Sequence, residues 1–166
     1  MKKFFKVLIC FLLIGMLSGC NFFVAKDKEF SEDGMTVTLT DKFLTEKNDQ
    51  VEMYVTSNKH VFMGNGESKS ILSLSGYSNL SLTGYAELVL SVSGKNSEVE
   101  LYSDEDTEFG YAYYDATVDG ENFSYMLVCM EGENKFYTMN FACLTKNFTD
   151  KTKEQYLEWA KTIRVE

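Results

Sequence analysis

The 166-residue sequence contains no proline, one histidine and one tryptophan, and its 16 basic residues are outnumbered by 25 acidic ones. With His60 as the sole imidazole, every Ser-His-Asp or Cys-His arrangement would depend on that one side chain. A zinc site needs three or four nitrogen or sulfur ligands, and the supply is inadequate. No Lys-Ser or Lys-Thr follows Gly64, Gly66 or Gly76 at the spacing of a phosphate loop. These shortages disfavour nucleophilic catalysis, so no catalytic residue, no metal and no cofactor is expected. The deficit of basic charge argues against nucleic acid and against an anionic lipid surface as partners.

The N-terminal apolar run from Val7 to Leu17 has 11 residues. A membrane-spanning helix needs ~20, so this run is too short to stay in a bilayer and fits the core of a signal peptide, with Lys2, Lys3 and Lys6 as its basic start. It ends in Leu17-Ser18-Gly19-Cys20, which resembles the lipobox of bacterial lipoproteins: an aliphatic residue, two small ones and an obligatory cysteine. The resemblance implies removal of residues 1–19, lipidation of Cys20 and a membrane anchor outside the cytoplasm. Two acyl chains hold a protein stably at a membrane, since each buried methylene contributes ~0.8 kcal/mol. Residues 20–27 read as a tether, and 28–166 as one domain of ordinary size. The signal carries three of the 16 basic residues, so the mature chain holds 13 against 25 acidic ones, a formal charge of −12.

Of the four cysteines, Cys10 leaves with the signal and Cys20 takes lipid, so only Cys129 and Cys143 enter the domain. They sit in consecutive strand-like runs joined near Gly132. In a tight hairpin Cys129 faces a residue near Phe136 and Cys143 one near Phe123, which separates the thiols by ~20 Å. The bridging limit is ~7 Å between alpha carbons. Two free, buried thiols are expected.

Asp33-Gly34, Asn58-Lys59 and Asp119-Gly120 each separate two β-prone runs, and Asp-Gly is a favoured type I′ pair. They predict an antiparallel meander of hairpins. Pairing Val118 with Glu121 puts Ala112, Tyr114, Phe123, Tyr125, Leu127 and Cys129 on one face. Phe109, Tyr111, Tyr113, Met126, Val128 and Met130 fall on the other. A sheet apolar on both faces needs cover on both. One cover is a C-terminal helix over 149–162, with Thr149 and Asp150 as candidate caps, Phe148 as a staple and the stripe Tyr156, Trp159, Ala160, Ile163. The other is a helix capped by Ser81 and stopped by Gly94, with Leu82, Tyr85, Ala86, Val89 and Val92 inward. The fold class is therefore α+β. Between the second hairpin and the helix capped by Ser81, residues 64–80 are rich in serine and glycine without period and read as a long mobile loop.

Three features are weighed for function. His60 stands beside a hairpin turn and reads as a solvated loop residue. The acidic run 104–108 offers four carboxylates where calcium could bind, but it matches no EF-hand and reads as a solvated connection. Tyr111, Tyr113, Tyr114 and Tyr125 offer either core packing or an aromatic recognition surface for glycan or peptide.

The blocks DGMTVTLTDKF, YAELVLSVSG, GYAYYDATVDGENFSYMLVCMEGENKFYTMNFAC and YLEWAKTIRVE resemble small uncharacterised clostridial-type lipoproteins whose architecture is a PsbP-like α/β/α sandwich. The resemblance covers roughly 28–166 and rests on structural motifs, so no functional residue carries over. It implies a non-enzymatic binding or accessory module of the cell envelope, with a protein or small ligand as partner and no nucleic acid. An envelope hydrolase or a purely structural envelope protein are the alternatives.

Overall fold

The computed structural model describes residues 25–166, so the expected signal peptide, Cys20 and most of the tether lie outside the described residues. A first hairpin joins β1 (Asp27–Glu32) to β2 (Met35–Thr40). The strands that follow are β3 (Leu44–Thr45), β4 (Met53–Thr56) and β5 (Val61–Ser68), then two helices, α1 (Lys69–Leu74) and α2 (Leu82–Val92). β6 (Glu100–Ser103), β7 (Glu108–Val118), β8 (Glu121–Glu131) and β9 (Lys135–Leu144) precede the helix α3 (Asp150–Ala160) and a short β10 (Arg164–Val165).

Among the described residues all pairings are antiparallel, and the seven-stranded sheet runs β3-β4-β5-β9-β8-β7-β6. The expected α+β class is what the chain adopts. The first hairpin, however, is not part of one meander: β1 and β2 form a separate three-stranded sheet with β10. Phe30, Met35, Val37 and Leu39 of that small sheet are buried in the same core as Ile163, so the small sheet and α3 together cover one face of the large sheet. Short C-terminal strands such as Arg164–Val165 carry no periodic signal, which is why the sequence does not announce this pairing.

The turn chemistry behaves as expected. Asp33 and Gly34 have φ of 49° and 82°, Asp119 and Gly120 of 51° and 83°, the left-handed pair of a type I′ turn. Val118 pairs with Glu121, so the faces of β7 and β8 fall as derived. Phe109, Met126, Val128 and Met130 join the core beneath α3, while Ala112, Leu127 and Cys129 join the core beneath α2.

Both covering helices form. Ser81 caps α2 by accepting the Gly84 N–H at 3.1 Å. Tyr85, Ala86 and Leu90 are its buried stripe, and Val92, expected inward, is 78% exposed because at 100° per residue it falls to the edge of that stripe. Thr149, not Asp150, caps α3. Its hydroxyl accepts the Thr152 N–H at 3.4 Å and the Thr152 hydroxyl accepts the Thr149 N–H at 3.3 Å, a reciprocal capping box.

Residues 64–80 do not form a mobile loop. β5 continues through Gly64 and Gly66 to Ser68, paired throughout with β9, and α1 follows directly. The two glycines are there for space. A Cβ at Gly64 would lie 2.7 Å from Met35 Sδ, and one at Gly66 would lie 2.9 Å from Lys135 Cδ. Glycine in a strand marks such a close approach as readily as a turn, and the serine-rich setting hides it.

Cys129 and Cys143 are free and buried. The β8-β9 connection is longer than a tight hairpin, with Glu131 opposite Phe136, so Cys129 faces Thr138 and Cys143 faces Ser124. The two thiols also point to opposite faces of the sheet, Cys129 toward α2 and Cys143 toward α3. Burial pushes the Cys129 thiol up to about 12, which keeps it protonated and unreactive.

Candidate functional site

Five recesses stand out among the described residues, and four carry carboxylates from Asp106, Glu121, Glu131, Glu133 or their neighbours. The fifth, of about 450 Å³, has none. In a chain with 25 acidic residues that exception is the most distinctive surface feature. The recess lies where the described chain begins, at Ala25, and is closed by the β2-β3 connection, the β4-β5 loop and the outer side of α3.

The β4-β5 loop shapes it first. Ser57 Oγ accepts the His60 N–H at 3.0 Å and donates to the His60 carbonyl at 3.2 Å, and Ser57 N–H donates to the same carbonyl at 2.8 Å. This local network turns the His60 side chain inward. Its Nδ1 lies 3.0 Å from the Tyr156 hydroxyl of α3, and its ring stands edge-on to Tyr156 and Trp159, with centroids 5.6 Å from each. His60 is therefore not the solvated turn residue expected from sequence. A partner 96 positions away leaves no local signal. Only the pairing of loop and helix reveals it.

Behind the imidazole, Phe43 packs edge-on against Trp159 at 5.4 Å, and the buried Tyr156 shares the core with Cys143. Nδ1 accepts from the Tyr156 hydroxyl in one imidazole tautomer and donates to it in the other. Among the described residues Nε2 has no hydrogen-bond partner. Burial, and secondarily the Lys59 ammonium, hold the His60 pKa below its ordinary value of 6.5. Tyr156 is pushed far up by burial and stays a phenol.

Lys42 and Lys59 complete the recess. Both are exposed, and neither has a carboxylate within ion-pair reach among the described residues, where the pairs formed are Lys69 with Glu131 and Lys161 with Glu158. Thr40, Asn58 and Gln155 add neutral polar groups at the edge.

The depressed histidine has a measurable consequence for stability. Above pH 6.5 the imidazole is neutral folded and unfolded. Below it the unfolded chain takes the proton first, so stability falls as pH drops toward the folded value, by at most ~1.4 kcal/mol per pH unit for one proton. Urea midpoints at pH 7.5 and 5.5 should therefore differ more for the wild type than for His60→Gln. Equal differences would mean that His60 titrates as freely folded as unfolded.

The other candidates resolve differently. Asp104 Oδ1 accepts the N–H of Asp106 and of Thr107, both at 2.9 Å, and Oδ2 accepts the Tyr102 hydroxyl at 2.6 Å. These bonds, led by that of Tyr102, lower the Asp104 pKa. The carboxylate thus closes its own turn, and among the described residues no group of three or more acidic, histidine or cysteine side chains is placed to hold a metal. Strand alternation divides the tyrosines. Tyr114 stacks on Tyr125 at 4.9 Å and bonds Asn140 on the α2 side, while Tyr111 and Tyr113 form an edge-to-face ladder toward Phe148 on the α3 side.

No protein-family model matches the chain, and no curated protein matches it. A crystal structure of a Bacteroides thetaiotaomicron protein is similar in fold, with a TM-score of 0.56 at 13% identity over 84% of this chain. The chain spans about half of that structure, 48% of its length. The solution structure of cyanobacterial PsbP (CyanoP) from Synechocystis aligns with 88% of this chain and 96% of its own at 11% identity and a TM-score of 0.49. LpqN of Mycobacterium tuberculosis, described as involved in cell envelope biogenesis, aligns at 6% identity over 86% of this chain and 91% of its own, with a TM-score of 0.39. The two lower scores lie below the level at which a shared fold follows, so the first likeness alone speaks to architecture. No helix of the described residues is long and apolar enough to cross a membrane.

Proposed function

We propose that this chain is an extracytoplasmic lipoprotein of the cell envelope, held to the membrane through Cys20. Its domain, from about residue 28, binds a ligand or partner and makes or breaks no bond. The clostridial-type, PsbP-like kinship drawn from its sequence blocks is part of the same proposal. The observation that carries it is the carboxylate-free recess, which gathers the only histidine, the only tryptophan and two lysines without an ion-pair partner among the described residues.

The same geometry supports binding over hydrolysis. Ser57 and His60 are neighbours, yet the serine hydroxyl is engaged by the backbone of His60, and the imidazole turns its Nδ1 to a phenol. General-base activation of a serine needs the hydroxyl on an imidazole nitrogen. Cys143, the thiol nearest this network, lies buried behind Tyr156 with its pKa raised by burial.

Anchoring is tested at Cys20. In the native host, Cys20→Ala should leave the membrane fraction and enter the medium, or persist as uncleaved precursor. A variant that is processed and retained at the membrane as before would overturn the lipoprotein reading.

A further inference from the structure

The recess around His60 combines three features that each favour an anion. Two ammonium groups, Lys42 and Lys59, line it without an acidic counter-charge among the described residues, whereas the other four recesses described above carry carboxylates. The Tyr156 hydroxyl occupies Nδ1, and among the described residues Nε2 has no partner, so the tautomer in which Tyr156 donates to Nδ1 presents an Nε2–H to an anion. Ser57 pins the backbone of the loop that carries Lys59 and His60, so the loop is shaped before any ligand arrives. A preshaped loop loses less on binding than a mobile one.

We propose that this recess binds a phosphate group, with Lys42 and Lys59 as charge partners and His60 Nε2 as the neutral hydrogen-bond donor. The identification deepens the binding-module reading and rests on it. Overall charge does not contradict it, because screening confines the repulsion of distant carboxylates to about a Debye length, ~8 Å at physiological salt, whereas these ammoniums would touch the ligand. Two sources share the chemistry: a soluble phosphate ester and a phospholipid headgroup. Ala25 lines the recess, and five residue steps from Cys20 span at most ~18 Å, so an anchored protein would keep the recess close to headgroups.

The full-length protein in neutral detergent is titrated with inorganic phosphate and with glycerol phosphate. Trp159 emission and the His60 ring resonances serve as readouts, each from a residue that occurs once in the chain. Saturable shifts of both signals are expected, weakening with added salt. Binding should be about tenfold weaker in Lys42→Ala/Lys59→Ala, from two exposed charge contacts. Both lysines are exposed, so the variant should keep the wild-type unfolding midpoint.

For the lipid source, the same protein is reconstituted in phosphatidylcholine vesicles with and without phosphatidylglycerol. His60 shifts that need phosphatidylglycerol, and are lost in the double variant, assign the group to the headgroup; shifts with glycerol phosphate alone assign it to a soluble ester. Absence of any shift with all of these probes, or equal binding by the double variant, overturns the phosphate site. A shift produced instead by N-acetylglucosamine, with phosphate inert, would overturn the phosphate and leave the recess as a binding site.

Discussion

Trp159→Ala should lose ~3–5 kcal/mol of stability, the usual cost of removing a buried large aromatic side chain. The indole is 8% exposed and packs against Phe43, His60, Phe141 and Tyr156, with centroids between 5.4 and 5.9 Å. Truncation would open a void among four rings that cannot collapse, because Phe141 and Tyr156 are fixed by strand and helix backbones. Against a total of ~5–15 kcal/mol for a domain, the variant should unfold at much lower urea or fail to accumulate. Wild-type emission should be blue-shifted, since this is the only tryptophan. Red-shifted emission and a near-wild-type midpoint would instead make α3 an exposed docking helix.

The opposite face has its own keystone. Tyr85 of α2 is 0% exposed, stacks on Phe136 at 4.6 Å, and places its hydroxyl 2.8 Å from both Glu67 Oε2 and Thr138 Oγ1. Tyr85→Ala should cost ~3–5 kcal/mol through the cavity it leaves. Tyr85→Phe keeps the ring and removes the two hydrogen bonds, and because Glu67 is exposed and can return to water, ~1 kcal/mol is expected. The ordering of the three urea midpoints, wild type above Phe above Ala, is the check. An Ala variant within ~0.5 kcal/mol of wild type would mean that α2 does not dock on the sheet.

Both keystones were readable from spacing. The stripe Tyr156, Trp159, Ala160, Ile163 follows the helical period, and Tyr85 and Ala86 follow it in α2, while alternation around Asp119-Gly120 places both faces of β7 and β8. Long, strongly periodic elements declare themselves because packing and period agree. Gly64 and Gly66 resemble loop residues until Met35 and Tyr137 are seen beside them. The pairing of β10 with β2, and of His60 with Tyr156, joins residues more than 90 positions apart, and nothing local encodes either. The recess was illegible for the same reason: its lysines, histidine and tryptophan come from three separate elements, each unremarkable alone.

The seven-stranded sheet divides the interior unequally. Among the described residues, the apolar cluster on the α3 side holds 20 buried residues and that on the α2 side 7. The smaller compartment is also flanked by α1, which has no buried residue, and by exposed Ile71, Leu74 and Val92. Elements holding little apolar area open with less free energy than the whole molecule. The α1-α2 layer should thus exchange its amide hydrogens through local openings while β5, β8 and β9 wait for global unfolding. The recess near His60, built on the larger compartment, keeps its shape through those excursions.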